Sequence, residues 1–101
     1  MPRIVWTSQA LDDLRAIRDF IARDAPRRAN AFVSRLIDAA DVLEQRPLLG
    51  AIVPELRRED VRELIRGNYR IIYRADGSRV TVLSVYHAAR TLSPDVIGDD
   101  K

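Results

Sequence analysis

Cysteine is absent from the 101-residue chain. That excludes disulfides, Cys-ligated zinc, iron–sulfur clusters and thiol catalysis. Histidine occurs once, at His87, which is too few for a His-built metal site, so neither a metal nor a cofactor is expected. Lysine is nearly missing too: of the 17 cationic side chains only Lys101 is Lys, and the other 16 are Arg. The four Gly sit at turns or in the tail, and none forms a phosphate-cradling loop. No apolar run approaches the ~20 residues of a membrane span, so no membrane partner is expected. Met1–Trp6 lacks a signal-peptide pattern, which points to the cytoplasm.

What remains is a globular composition, 47% hydrophobic and 32% charged, with enough apolar material for one core. Residues 1–92 read as a single domain and 93–101 as an acidic polar tail expected to fray. The net charge of +2 is unevenly spread. Residues 1–54 carry eight Arg against seven acids, and 55–90 eight Arg against five acids. The last eleven residues hold three Asp and Lys101. Arg pairs bidentately with carboxylate or phosphate, so a basic second half suits an anionic partner. A bias toward Arg in coding explains the composition equally simply.

Arg3–Trp6 reads as a short strand ending at Thr7-Ser8, either of which can cap a helix. Ala10, Leu14, Ile17 and Ile21 recur at helical spacing, flanked by Leu11 and Phe20, which predicts a helix over 8–24. Asp24 or Ala25 caps a second helix, with Pro26 in its first turn, where a missing N–H costs nothing. Ala29, Val33, Leu36, Ala40 and Leu43 carry it to about residue 45, before Pro47. So short a connection demands an antiparallel helical hairpin. A partly buried loop is expected over 48–56. The period then changes to two. Residues 61–66, 69–74 and 79–87 read as strands joined at Gly67-Asn68 and Asp76-Gly77. The expectation is an α+β fold of order β-α-α-β-β-β, with the hairpin on one face of a small antiparallel sheet and the first strand at an edge.

On that arrangement the other sheet face is open, and Arg62, Arg70 and Arg74 line it as an anion-recognising surface. Cross-strand Arg–Glu pairs on a solvated face are the plainer account. His87, at the end of the last strand, has the residue type of a general acid or base, or it closes the strand structurally. Metal-free RNA cleavage needs a base, an acid and a cation at the phosphorane. His87, Glu63 and Arg70 or Arg90 supply those types. Trp6, Tyr69 and Tyr73 suit packing better than base stacking.

Several strings then fall in order along residues 3–92. They are Trp6-Thr7-x-x-Ala10-x-x-Asp13-Leu14-x-x-Ile17-x-x-Phe20-Ile21-Ala22-x-Asp24-x-Pro26, Leu43-x-x-x-Pro47-x-x-Gly50 and Val53-Pro54-Glu55-Leu56. After them come Arg62-Glu63-Leu64-Ile65-x-Gly67-x-Tyr69-Arg70-Ile71-Ile72-Tyr73-Arg74 and Val82-Leu83-x-Val85-x-His87-x-Ala89-Arg90. Together they resemble the RelE/ParE superfamily of type II toxin–antitoxin toxins, on its ParE-like branch. The resemblance implies a small intracellular toxin held inactive, as a hetero-oligomer, by a cognate ParD-like antitoxin from the adjacent gene. ParE-like toxins are associated with poisoning DNA gyrase and blocking replication; RelE-like relatives cleave mRNA on the ribosome. A third possibility is a relic that binds antitoxin without toxicity. The chain departs from the RelE pattern: it has no internal Lys and no Tyr after Arg90. On the gyrase reading, Arg62, Arg70, Arg74, Tyr86, His87 and Arg90 are the expected target contacts. The antitoxin is expected against Leu11, Arg15 and Arg18 on the first helix and Arg62, Arg70 and Arg74 on the sheet.

Overall fold

Local chemistry sets each boundary in the computed structural model, which describes residues 3–88. The expectations for Arg90 and the 93–101 tail lie outside those residues. Strand β1 (Arg3–Trp6) leads into α1 (Ser8–Ala22) through Thr7. The Thr7 hydroxyl accepts the Ala10 N–H at 3.0 Å and donates to the Leu83 carbonyl at 3.0 Å. One side chain therefore caps the helix and ties it to the sheet. The first helix stops two residues short of the expected end. Ala25, with no side-chain cap, precedes Pro26, which opens α2 (Pro26–Asp41). A 3-10 turn over Val42–Glu44 finishes that segment, tightening the last turn where carbonyls lack helical partners.

The rest of the chain is β2 (Ala51–Ile52), β3 (Val61–Arg66), β4 (Tyr69–Ala75) and β5 (Arg79–His87). The sheet runs β1-β5-β4-β3-β2. The α+β class and the predicted order are found, with the short β2 added at the far edge. The sheet is mixed and not purely antiparallel, because β1 pairs with β5 in parallel, Ile4 opposite Val80.

Gly67, at φ 57°, makes the two-residue turn between β3 and β4. It sets Arg66 opposite Tyr69 and Arg62 opposite Tyr73. Side chains directly opposite share a face. Leu64, Ile71 and Tyr73 therefore point to the helices, where they join Leu14, Ile17, Leu36, Ala40, Leu43, Val80 and Val82 in the main core. A bulge in β5 opposite Ile72–Tyr73 splits the alternation. Leu83 packs on the opposite face, while the Ser84 hydroxyl and the Val85 N–H donate to Asp13 of α1 at 2.6 and 2.9 Å.

The opposite face is not open, contrary to expectation. Residues 53–60, the connection from β2 to β3, cross it as a strap. Val53 and Leu56 of the strap pack with Val61, Ile72, Leu83 and Tyr86 into a second, smaller apolar cluster. A strand face carrying Val61, Ile72 and Leu83 is too apolar to leave in water, at roughly 25 cal/mol per Å².

Candidate functional site

Arg70 lies under this strap. Its side chain is only 7% exposed. Its Nε donates to Glu63 at 2.6 Å, and its Nη1 and Nη2 donate to the two carboxylate oxygens of Glu55 at 2.8 Å each. Glu63 comes from β3, on the same face as Ile72; Glu55 comes from the strap. The hydrogen bonds to Glu55, opposed by burial and aided by Glu63, hold the Arg70 guanidinium even further above neutrality than usual. A buried guanidinium needs such partners, since an uncompensated buried charge costs several kcal/mol.

Arg62 and Arg70 do not share a face. Arg62 faces the helix side, where its Nη1 donates to the Gly50 carbonyl at 3.0 Å and its Nε to the Glu59 carbonyl at 3.1 Å. Beside it the buried Tyr73 hydroxyl accepts the Gly50 N–H at 2.9 Å and donates to the Pro47 carbonyl at 2.8 Å. Burial pushes the Tyr73 phenol up, which keeps its proton in that bond. Arg62 and Tyr73 thus staple the approach to β2. Arg74 follows Arg70 on the strap side, half-buried, with its charge felt by Asp60. Tyr86 packs at the margin of the small cluster.

His87 stands elsewhere. It pairs with Tyr69 across β4–β5 and meets that ring edge-on at 5.5 Å. Tyr69 in turn meets Phe32 of α2 at 5.6 Å, and the Arg35 guanidinium lies 5.7 Å from the Phe32 ring. This row lies on the helix side, whereas Glu63 and Arg70 lie on the strap side. In register His87 is three residues along and two strands across from Glu63, about 10 Å in each direction. The structure therefore brings Arg70 and Glu63 together and leaves His87 apart; Arg90 lies outside the described residues.

The first helix presents a third surface. Leu11, Arg15 and Arg18 recur at helical spacing along its outer side. Leu11 is 40% exposed, and Arg15 and Arg18 make solvent-facing pairs with Asp12 and Asp19. Such pairs contribute little to stability, so the stripe is available for a partner. Among the described residues no group of three His, Asp or Glu could hold a metal ion, and no helix is long and apolar enough to cross a membrane.

Sequence reasoning missed Glu55, Gly50 and the Phe32–Tyr69–His87 row as parts of the functional surfaces. Glu55 is 15 residues from Arg70, and no local pattern links them. The ring row had no local signal either, because the Tyr69–His87 pair forms across β4–β5 past a bulge and Phe32 comes from α2.

A helical hairpin on a twisted sheet, with these capping and turn residues, defines a small toxin of the RelE/ParE superfamily. Residues 4–92 match the family described as the ParE toxin of the type II toxin–antitoxin system parDE, and the chain belongs to that family. It is 38% identical over 90 residues to the toxin RelE2 of Caulobacter vibrioides, covering 89% of this chain and 99% of that protein. Its fold is similar to the chromosomal ParDE system of P. aeruginosa, with a TM-score of 0.73, 27% identity, and 86% and 96% of the two chains covered. The toxin–antitoxin complex RelBE2 of Mycobacterium tuberculosis is similar at a TM-score of 0.60 and 28% identity, over 86% of this chain and 99% of that one.

Proposed function

We propose that this toxin is held inactive by a cognate antitoxin in a hetero-oligomer and acts by binding DNA gyrase, without breaking a bond itself. The observation that carries this reading is the division of the sheet. Hydrolysing RNA without metal needs an acid, a base and a cation converging on one phosphate. Here the candidate base Glu63 and cation Arg70 are engaged with each other beneath the strap, and His87 is on the opposite face. A binding toxin needs no such convergence. Its antitoxin has an accessible seat in the Leu11–Arg15–Arg18 stripe, where an amphipathic segment with carboxylates would find an apolar anchor and two guanidinium groups. The P. aeruginosa ParDE and M. tuberculosis RelBE2 structures are described as a toxin–antitoxin system and a toxin–antitoxin complex, which supports such a partner.

Addition of the purified chain to gyrase is expected to inhibit supercoiling and accumulate cleaved DNA, and the purified antitoxin to reverse both. Unimpaired supercoiling at saturating toxin would contradict the gyrase reading. A ribosome-dependent mRNA endonuclease is the second reading, favoured by the exposed His87 beside Tyr69, Phe32 and Arg35. Codon-linked mRNA cleavage on ribosomes, with gyrase untouched, would select it.

A further inference from the structure

The strap occupies the sheet in the manner of a bound peptide. Val53 and Leu56 fill the apolar cluster with Val61, Ile72 and Leu83, and between them Glu55 places both carboxylate oxygens on Arg70. The strap's backbone is tied to the sheet at its two ends, where the Val53 N–H donates to the Val61 carbonyl at 3.3 Å and the Asp60 carbonyl accepts the Ala75 N–H at 2.9 Å. Between those ends the Leu56 and Arg57 N–H groups both donate to the Val53 carbonyl, closing on the strap itself. Arg57 sits at φ 52°, a left-handed conformation that costs a non-glycine residue free energy. Removal of Glu55 leaves Arg70 still paired with Glu63, so an open strap strands no bare charge.

We propose that residues 54–58 are a displaceable internal ligand covering a peptide-binding groove on the sheet's strap side. The occupant that replaces them is an extended segment of a partner protein carrying a carboxylate between aliphatic residues. The strap's own Val-Pro-Glu-Leu sequence is the template for that chemistry. The carboxylate takes the bidentate place on Arg70, and a neighbouring aliphatic takes the place of Leu56 against Val53, Ile72 and Leu83. Nothing in this depends on which macromolecule the toxin attacks.

Two measurements test it. Hydrogen–deuterium exchange on the unmodified chain is expected to show the amides of 55–58 exchanging well before those of β4 and β5, as a local opening. Exchange of the strap only together with β4 and β5 would overturn the proposal. The second probe is a blocked synthetic peptide, Ile-Val-Pro-Glu-Leu-Arg, copying residues 52–57. It is expected to bind the Glu55→Gln/Leu56→Ala double variant roughly 10- to 100-fold tighter than the unmodified chain, the range of one charge-assisted contact. The same peptide with Gln for Glu is expected to lose that gain. Equal binding to both proteins, or binding indifferent to the Glu, would overturn the proposal. So would a variant that takes up a short RNA oligonucleotide in preference to the peptide, because the groove would then read phosphate.

Discussion

At the scale of single residues, the arginines divide by what they touch. Arg62 holds two backbone carbonyls and Arg70 holds two carboxylates, so each is committed to the fold before any partner arrives. Arg70→Ala leaves Glu55 and Glu63 facing each other under the strap. The expected loss is about 3–5 kcal/mol, toward the lower figure because Glu55 keeps some contact with water; chemical denaturation checks it, and a midpoint unchanged from that of the unmodified chain would contradict the buried triad. Gly50 is constrained by space and not by φ. A methyl group there would stand 2.5 Å from the Glu63 carbonyl oxygen and 2.8 Å from the Tyr73 hydroxyl. Gly50→Ala should therefore destabilise by about 1–3 kcal/mol, the range of an overpacked interior, and a melting temperature equal to that of the unmodified chain would show that the loop gives way freely.

At the scale of elements, the helices were legible because period and caps agree. Leu14, Ile17, Leu36, Ala40 and Leu43, spaced for one helical face, are all in the main core, and Thr7 and Pro26 mark the helix starts. The strands were legible for the same reason. Their faces were misassigned although the information was present. The turn at Gly67-Asn68 pairs 66 with 69, and that parity puts 62, 64 and 66 with 69, 71 and 73, and 70 with 65. The strap was not legible, because its seat depends on contacts remote in sequence, Glu55 to Arg70 and Val53 to Leu83. The β1–β5 pairing joins the two ends of the domain and is likewise without local signal. Acid sensitivity also belongs at this scale. Bonding from Arg58 holds the Asp60 carboxyl, where the strap enters β3, below its ordinary range against a small desolvation. At the β4–β5 turn a small desolvation of Asp76 is outweighed by the amides of Arg79 and Ser78, and its carboxyl also titrates low. A depressed carboxylate stabilises the fold above its unfolded pKa, near 4, and the contribution disappears as pH falls through the lower folded value. Melting temperature is therefore expected to drop between about pH 5 and pH 2, modestly because both groups meet solvent. Asp60→Asn should flatten part of that slope; an identical slope in the variant would remove Asp60 from the account.

At the scale of the whole molecule, one sheet separates three surfaces. The outer side of α1 is exposed and carries Arg15 and Arg18 in solvent-facing ion pairs, the strap side holds a filled groove, and the hairpin end carries the rings of Phe32, Tyr69 and His87. A toxin that binds its target can use any of them, whereas a nuclease needs reactive groups gathered in one place. The most direct measurement is growth arrest by His87→Ala, expressed without antitoxin and compared with the unmodified chain at equal protein level. Binding without bond cleavage predicts that most of the arrest remains, because His87 would be one contact among several. A loss of roughly 10²–10⁴-fold in toxicity, the size of an acid–base contribution, in a variant that still folds and still binds antitoxin, would contradict it.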